Sequence, residues 1–341
     1  MKPIYVFGSK TKPTNELHTT DSFVTNAVNL CLMLKDDFDV TLAGLPGSGK
    51  GRPGDPNEGD LGVKTIAWDD ALAKLHAEPD TAVVCITGPD HLADALALPQ
   101  TVCEPTRGYD LPVFTDHVAF PSWAWFHYHV GRYGPPQDWH RWSVLPHAIV
   151  PERFDYSEDK DDYVLFLGRL TQGKGLDVAI EACRIAGKRL VAAGTHCGLE
   201  SDALIDRGRE TLGSGFEYVG FADYHARRRL LADARVFIYP AEGLEPFGYT
   251  VLEANVSGTP AIVPDRGAFT ETVENGMNGF RCRDAAQMAD ALAQIDTIPP
   301  PHCRKWAIEN FGVAAVEETA CGFLEKVTTS ERSNRKREFP L

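Results

Sequence analysis

The sequence predicts an α/β protein built from two doubly wound domains, and three observations support this. Short apolar runs that end in turn residues alternate with helical patterns along the chain. The alternation stops in the Pro- and Asp-rich stretch SVLPHAIVPERFDYSEDKDD and then begins again. A chain of 341 residues with 43% hydrophobic residues can also form two cores. Strands that alternate with helices imply parallel sheets covered on both faces.

The first predicted domain covers residues 1–150 and the second covers residues 151–328, followed by a basic tail at 329–341. In the first domain, strands are predicted at 4–9, 39–44, 63–68, 81–88 and 111–117, and helices at 22–34 and 69–76. In the second domain, strands are predicted at 163–168, 189–194, 216–221, 234–240 and 259–264. Because open α/β sheets bind ligands at the carboxyl ends of their strands, the expected site is a cleft between the domains.

Composition and charge exclude several classes of protein. The start, MKPIYVFGSK, is neither a signal peptide nor a membrane span, so we expect a cytoplasmic protein without stable membrane insertion. Its 8 cysteines are scattered without metal-ligand spacing, as in a reduced compartment. A net charge of -14 argues against general binding to nucleic-acid backbones, although Arg335, Lys336 and Arg337 form a basic cluster in the tail.

The stretch DVTLAGLPGSGKGRP at 39–53 resembles a phosphate-binding P-loop in its glycine and lysine spacing. A P-loop needs Ser or Thr after the lysine to hold Mg²⁺, and Gly51 follows Lys50 here. The next residues, Arg52 and Pro53, do not open a helix, whose N-terminus would supply directed N–H groups and a positive dipole end. The favoured interpretation is a Gly/Pro-rich loop after a strand.

The second domain has a more specific motif at the end of its first strand, FLGRLTQGKGLDVAIEACRIAG. Gly168 permits a tight turn, and Arg169 and Lys174 are cations on the loop before an amphipathic helix. Two cations and an electropositive helix N-terminus could neutralise a diphosphate without a metal. The residues alone favour this interpretation no more than an ordinary strand-to-helix loop.

Two glutamates follow in the segment YPAEGLEPFGYTVLEANVSGTP. Glu245 lies on a loop introduced by Pro246-Phe247-Gly248, and Glu253 lies about two turns inside the predicted helix. An ionised carboxylate accepts hydrogen bonds only, which suits the paired hydroxyls of a ribose or hexose. The neighbours of Glu253 are apolar, so we expect this glutamate to have a partner and not to be a solvated helix residue.

These segments resemble the nucleotide-binding domain of the family 4 retaining glycosyltransferases, which have the GT-B fold of two Rossmann-like domains. The resemblance runs from Tyr163 to about Ala291 and consists of G-R-x(4)-K-G, V-G-F at 219–221, E-x(7)-E, S-G-T-P and N-G-x-N-G-F. It implies that Arg169 and Lys174, after Gly168, hold the donor diphosphate and that Glu253 holds the ribose. Glu245, with the backbone of Phe247 and Gly248, would then contact the transferred sugar.

The resemblance is weaker in the first domain. LPVFTDH matches the position of a family strand that ends in a histidine near the anomeric carbon, which makes His117 the candidate there. A histidine can bond a sugar hydroxyl or accept its proton near neutral pH, but a strand-end histidine can equally be bonded to backbone. Many members have a glycine pair after the first strand, and this chain has KTKPTNELHTTDSF instead.

The segment PSWAWFHYHVGRYGPPQDWHRW at 121–142 is rich in tryptophan and histidine. Its rings could stack on an acceptor sugar or base, or they could fill the core of the first domain. A zinc site from His127 and His129 on a strand is a weak alternative, since no third ligand is evident. The acidic runs DDFD at 36–39 and KDD at 160–162 are expected to be solvated charge, and we predict no catalytic metal.

The sequence therefore predicts a retaining hexosyltransferase that acts without metal or other cofactor and uses a nucleoside diphosphate sugar, with UDP as the predicted nucleotide. Its acceptor would be a hydroxyl-bearing small molecule, a glycan or a modified nucleic acid. Three alternatives stay open: a sugar-nucleotide epimerase or phosphorylase of the same fold, a non-catalytic nucleotide-sugar-binding protein, and the P-loop protein considered above.

Overall fold

A computed structural model describes residues 2–11, 14, 22–49, 61–79 and 81–330. The chain divides into two compact units, one containing residues up to Ala148 together with the chain from Phe311 onward, and the other containing Ile149–Asn310. Each unit contains a parallel sheet with helices packed on it. The predicted α/β class with two parallel-sheet domains is confirmed.

The first unit has a seven-stranded sheet among its described residues, in the order β3-β2-β1-β4-β5-β6-β7. Its strands are β1 (Ile4–Phe7), β2 (Val40–Gly44), β3 (Lys64–Ala67), β4 (Val83–Ile86), β5 (Thr101–Glu104), β6 (His117–Phe120) and β7 (Trp142–Val144). Its helices are α1 (Ser22–Leu34), α2 (Trp68–Ala77), α3 (Leu92–Ala97), α4 (Trp123–Tyr133) and α12 (Val313–Thr329). The central strands β1 and β4 are buried at every position, as strands covered on both faces should be.

The second unit has a six-stranded parallel sheet among its described residues, in the order β10-β9-β8-β11-β12-β13. Its strands are β8 (Asp161–Leu167), β9 (Leu190–Ala193), β10 (Phe216–Tyr218), β11 (Ala234–Ile238), β12 (Ala261–Pro264) and β13 (Gly279–Cys282). Its helices are α5 (Leu176–Ala186), α6 (Leu199–Leu212), α7 (Tyr224–Asp233), α8 (Tyr249–Val256), α9 (Phe269–Thr272), α10 (Ala285–Gln294) and α11 (Pro300–Phe311). α5 packs with α6 and α10, whereas α8 packs with α7.

The end of the chain differs from the predicted division. Residues 151–328 were assigned to one domain, but α12 packs on α1 in the first unit. Its buried residues recur at helical spacing and join the core that contains β1 and α1; they are Val316, Ala320, Phe323, Leu324 and Val327. The basic cluster of the predicted tail lies outside the described residues.

The strand predicted at 111–117 is wrong, because the strand in this region begins at His117. The buried Arg107 explains the difference. Its guanidinium donates hydrogen bonds to the carbonyls of Leu111 (2.5 Å) and Pro112 (2.8 Å) and pairs with Glu104 at 2.6 Å. These carbonyls are therefore satisfied by a side chain and not by a neighbouring strand. Strands β5, β7 and β13 were not predicted.

The loop after β2 does not present a phosphate cradle in its described part. The N–H of Ser48 donates to Leu45 O at 3.0 Å, and the N–H of Gly49 donates to Thr14 O at 2.9 Å. Both groups are thus bonded within the protein and are not available to an anion. Lys50, on which the P-loop alternative depends, lies outside the described residues.

Candidate active site

The candidate site in the second unit lies at the switch point of its sheet, between two neighbouring strands whose next strands lie on opposite sides. β8 and β11 are neighbours, but β8 connects to β9 on one side and β11 connects to β12 on the other. Ligands of open α/β sheets bind at such a switch point, at the carboxyl ends of the strands. Arg169 and Lys174 follow β8, and Glu245 follows β11, so the fold brings the predicted diphosphate and sugar ligands to one place.

Glycines allow the backbone to pack closely at this edge. Gly194, after β9, has φ 138°, and a Cβ there would lie 1.7 Å from the carbonyl oxygen of Gly168. Its N–H donates to Gly220 O at 2.9 Å, and the N–H of Gly168 donates to Ala193 O at 3.1 Å. The loop that carries Arg169 is therefore held by backbone contacts that a larger residue would break.

Lys174 and Glu245 form an ion pair whose side chains are 21% and 16% exposed. The Tyr239 hydroxyl donates to the same carboxylate oxygen, Glu245 Oε1, at 3.1 Å. Lys174 Nζ lies 5.3 Å from the centre of the Tyr239 ring. Burial raises the pKa of Tyr239, and the Glu245 carboxylate raises it further, so this phenol stays protonated and donates. Tyr239 was not predicted as a site residue, because in the sequence it belongs only to the strand predicted at 234–240.

Glu253 lies on α8 and is 2% exposed. Its Oε2 pairs with the guanidinium of Arg227 on α7, so the partner expected for this glutamate is present. Burial raises the pKa of Glu253, and the charge of Arg227 opposes that shift. Arg227 was also missed, since α7 contains three consecutive arginines and the sequence does not say which of them turns inward.

The Tyr239 hydroxyl is within electrostatic reach of both ion pairs. The charges of both Arg169 and Arg227 act on the Tyr239 hydroxyl and oppose the rise of its pKa. Tyr239 therefore stands among Arg169, Lys174, Glu245 and Arg227. Together with Glu253, these groups provide cations, carboxylate acceptors and one phenolic donor within a single region, as binding of a phosphorylated sugar compound would require.

Phe247 and Gly248 lie immediately before α8. Phe247 is buried, and Gly248 has φ 80° at the N-cap position. A Cβ on Gly248 would lie 2.5 Å from Cε1 of Phe269, so only glycine fits this entry into the helix. The electropositive N-terminus of α8 follows directly, as the sequence predicted.

Buried polar side chains hold α8 against the sheet. Asn278 Nδ2 donates to Asn255 Oδ1 (2.8 Å) and to Thr272 O (3.0 Å), while Asn255 Nδ2 donates to Thr259 O (3.0 Å). Lys160 Nζ donates to Ser257 O (3.0 Å) and to Thr259 Oγ1 (2.9 Å). The S-G-T-P and N-G-x-N-G-F segments thus act as scaffold, because they fix the helix that carries Glu253.

His117, the predicted neighbour of the anomeric carbon, begins a strand and does not end one. It is the first residue of β6, level with Cys103 of β5, and it is 1% exposed. Side chains two apart share a face, and Ala119 belongs to the core cluster that includes α1 and α12. Neither ring nitrogen has a hydrogen-bond partner within the described part of the chain. Burial, reinforced by the positive charge of Arg141, lowers the pKa of His117 to about 4.

Replacement of His117 by leucine is expected to leave turnover within about threefold of the wild type, whereas loss of an acid–base catalyst costs about 10²-fold or more. In the wild type, the folded pKa lies below the ordinary value of 6.5, so stability is lost as the pH falls from 6.5 towards 4. His117→Leu should reduce the fall in melting temperature that accompanies this loss of stability. A turnover loss of 10²-fold with an unchanged melting profile would restore a catalytic role.

The Trp- and His-rich segment forms α4 and the turn that follows it. Trp125 is buried, whereas Trp123 and Trp139 are 56% and 53% exposed. His127 and His129 lie two apart on a helix and not on a strand, with His129 buried and His127 exposed. They therefore point in different directions and do not share a ligand. Within the described residues, we find no group of three His, Cys, Asp or Glu side chains placed to hold a metal ion.

Comparison with known proteins finds a family match in the second unit. Residues 151–308 match the family model described as Glycosyl transferases group 1. This match spans a little less than half of the chain and contains all the motifs on which the predicted resemblance rests.

Two relatives illustrate the extent of the match. The chain is 35% identical over 140 residues to a glycogen synthase of Mycobacterium tuberculosis (strain CDC 1551 / Oshkosh). The aligned region covers 39% of this chain and 33% of that protein. The chain is also 34% identical over 169 residues to an uncharacterized glycosyltransferase of Methanocaldococcus jannaschii. That aligned region covers 43% of this chain and 42% of the relative. The chain thus aligns with less than half of the length of either relative.

Solved structures match over nearly the whole chain. AviGT4, a glycosyltransferase involved in Avilamycin A biosynthesis, has a TM-score of 0.70 at 20% identity and covers 97% of this chain and 99% of its own. Anabaena Alr3699/HepE in complex with UDP and glucose has a TM-score of 0.70 at 12% identity and covers 95% and 100%. At such identities the likeness concerns the fold, which is the GT-B arrangement of two parallel-sheet domains.

No helix within the described ranges is long and apolar enough to cross a membrane.

Proposed function

We propose that this protein is a retaining glycosyltransferase that moves a hexose from a nucleoside diphosphate sugar to an acceptor hydroxyl. The observation that carries the proposal is the Lys174–Glu245 ion pair at the β8/β11 switch point, beside Arg169 and before α8. The match of residues 151–308 to a glycosyltransferase family supports the same activity.

Each group would have a defined task in the donor complex. Arg169 and Lys174 bind the diphosphate and neutralise the charge that develops as the nucleotide leaves. The donor phosphate replaces Glu245 as the partner of Lys174, which frees the carboxylate to accept a hydrogen bond from a sugar hydroxyl. Tyr239 keeps Glu245 oriented through its 3.1 Å hydrogen bond. Glu253 accepts from the ribose through the oxygen that Arg227 does not hold.

Retention of configuration and independence of metal are part of the proposal. Two side-chain cations and a helix N-terminus can stabilise the departing diphosphate, so the mechanism does not require a metal ion. Glu245 and Glu253 both act on donor hydroxyls, which leaves neither as a nucleophile in a hydrolytic pair. Retention by attack of the acceptor on the face that the nucleotide leaves is inferred from the resemblance to retaining enzymes.

We infer UDP as the nucleotide of the donor, and a small molecule, a glycan or a modified nucleic acid as the acceptor. Anabaena Alr3699/HepE, which shares the fold, was solved with UDP and glucose. A relative from Mycobacterium tuberculosis, 30% identical over 174 residues, is named as a GDP-mannose-dependent mannosyltransferase. A comparison of UDP with GDP therefore decides the base.

UDP is expected to stabilise the protein in a thermal-shift series with UDP, GDP, ADP and ATP, each with Mg²⁺ and with EDTA. A ligand at about 100 times its dissociation constant stabilises by roughly 2.7 kcal/mol, which is a shift of a few degrees for domains of this size. The shift with UDP should survive EDTA. Stabilisation by ATP alone, lost with EDTA, would contradict the proposal and favour the loop at 44–51.

Product analysis separates the remaining alternatives. The proposed enzyme releases UDP and a glycosylated acceptor from a UDP-sugar. An epimerase would convert the sugar nucleotide without acceptor, a phosphorylase would require inorganic phosphate, and a binding protein would show no turnover that Glu245→Ala could abolish.

A further inference from the structure

A cavity of ≈ 320 Å³ lies in the second unit, beside α5, α6 and α10. Asp177 of α5 and Arg207 of α6 line it, as do Pro240 and Pro264 at the carboxyl ends of β11 and β12. Its lining residues do not include Arg169, Lys174, Tyr239, Glu245 or Glu253. The cavity is therefore distinct from the group around Tyr239, and its volume is within the range of small-molecule sites.

Charges of both signs line this cavity. Three arginines contribute to the wall, namely Arg207, Arg266 and Arg283. Four carboxylates line the same space, namely Asp177, Glu181, Glu242 and Asp284. Glu181 pairs with Arg184 (2.7 Å) and Asp284 accepts from the N–H of Gln287 (2.9 Å), so Asp177 and Glu242 are the candidates to accept from a ligand. A site with several guanidinium groups is suited to a phosphate, because each group can donate two parallel hydrogen bonds to phosphate oxygens.

Asp177 indicates that the ligand must also donate a hydrogen bond. Its Oδ1 is buried and has no hydrogen-bond partner in the part of the chain that the structure describes. The nearest cation, Arg207 Nη1, lies 3.9 Å from the other oxygen, Oδ2, which is too long for a hydrogen bond. A buried carboxylate oxygen without a donor is unfavourable. The Asp177 side chain is 18% exposed, so a rotation of its carboxylate would let this oxygen accept from a ligand hydroxyl in the cavity.

We propose that this cavity binds a phosphorylated sugar as a second ligand, apart from the nucleotide-sugar donor. The phosphate would contact the three guanidinium groups, and sugar hydroxyls would donate to Asp177 and Glu242. Met288 and Val178 supply apolar wall for the C–H face of the sugar ring. A neutral sugar would leave the arginines unmatched. Inorganic phosphate has too few O–H groups to donate to both Asp177 and Glu242 while its oxygens face the arginines, so one molecule must offer a phosphate and several hydroxyls.

Isothermal titration calorimetry on the full chain tests this, with glucose 6-phosphate and glucose 1-phosphate as probes. At least one of them should bind with a dissociation constant below about 1 mM, and glucose or inorganic phosphate should bind about tenfold more weakly or worse. Arg207→Gln and Asp177→Asn, which keeps the size of the side chain, should each weaken binding by about tenfold. Melting curves without ligand verify that the variants are folded.

Arg209→Gln is the matched control, because Arg209 lies on the same helix but pairs with Asp206 and is 66% exposed. Its affinity for the sugar phosphate should equal that of the wild type. Equal weakening by Arg209→Gln, absence of binding at millimolar concentrations, or equally tight binding of inorganic phosphate would each overturn the proposal. Displacement by UDP would assign the ligand to the donor site, and tighter binding of glycine or glutamate would replace the sugar phosphate with an amino acid. All of these outcomes are measured as binding and do not depend on transferase activity.

Discussion

Replacement of Lys174 by alanine is expected to lower kcat/KM by about 10²–10³-fold, the usual cost of removing one group that stabilises developing charge. Lys174 is the cation held at the switch point by Glu245, beside the ring of Tyr239. Its loss leaves the departing diphosphate with Arg169 and the helix N-terminus alone. Steady-state kinetics with the donor identified by thermal shift measure the effect.

Lys188→Ala is the control for Lys174→Ala. Lys188 lies just beyond the other end of α5, where it is 39% exposed and 3.7 Å from Asp162. This variant should keep the wild-type kcat/KM. Lys174→Arg retains the charge and should recover part of the activity, which a purely structural role of Lys174 does not predict. A kcat/KM of Lys174→Ala within twofold of the wild type would refute the assignment.

Replacement of Glu253 by alanine is expected to destabilise the protein by about 3 kcal/mol or more, because it leaves the charge of Arg227 partly buried without a partner. Glu253 is almost completely buried, whereas the Arg227 side chain is 20% exposed. That residual exposure places the expected loss near the lower end of the range for broken buried pairs. Urea unfolding, followed by circular dichroism, measures the change in the free energy of unfolding.

Glu217→Ala provides the comparison, since Glu217 pairs with Arg189 in the same unit while both side chains are 49% exposed. An exposed pair of this kind contributes about 0–1 kcal/mol. Glu253→Gln keeps the size and one acceptor oxygen, and it should lose donor affinity with less loss of stability. If Glu253→Ala costs no more stability than Glu217→Ala, the pair does not hold α7 and α8 together.

Much of the second unit could be predicted because its signals are local. Gly168, Arg169 and Lys174 lie on one short loop after an apolar strand, and the E-x(7)-E spacing sets one carboxylate before a helix and the other inside it. The roles of Asn255 and Asn278 could not be predicted, because their hydrogen bonds join segments that are 23 residues apart in the chain.

The first unit was predicted less well, and Arg107 explains part of the difference. The buried guanidinium of Arg107 donates hydrogen bonds to the carbonyls of Leu111 and Pro112. The apolar run at 111–117 therefore does not form a strand, although its residues favour one. The shift of the strand then places His117 inside the sheet, level with Cys103. A strand that begins six residues later than predicted therefore changes the surroundings of its histidine.

The sequence by itself determined the α/β class, the alternation of strands and helices, the loops that carry Arg169, Lys174 and Glu245, and the helix that carries Glu253. All of these depend on periodicity and turn residues within short windows. Only the tertiary structure decided which groups pair. It joined Lys174 to Glu245, Arg227 to Glu253 and α12 to the first unit. Those contacts depend on strand order and helix packing between distant segments, which no local pattern encodes.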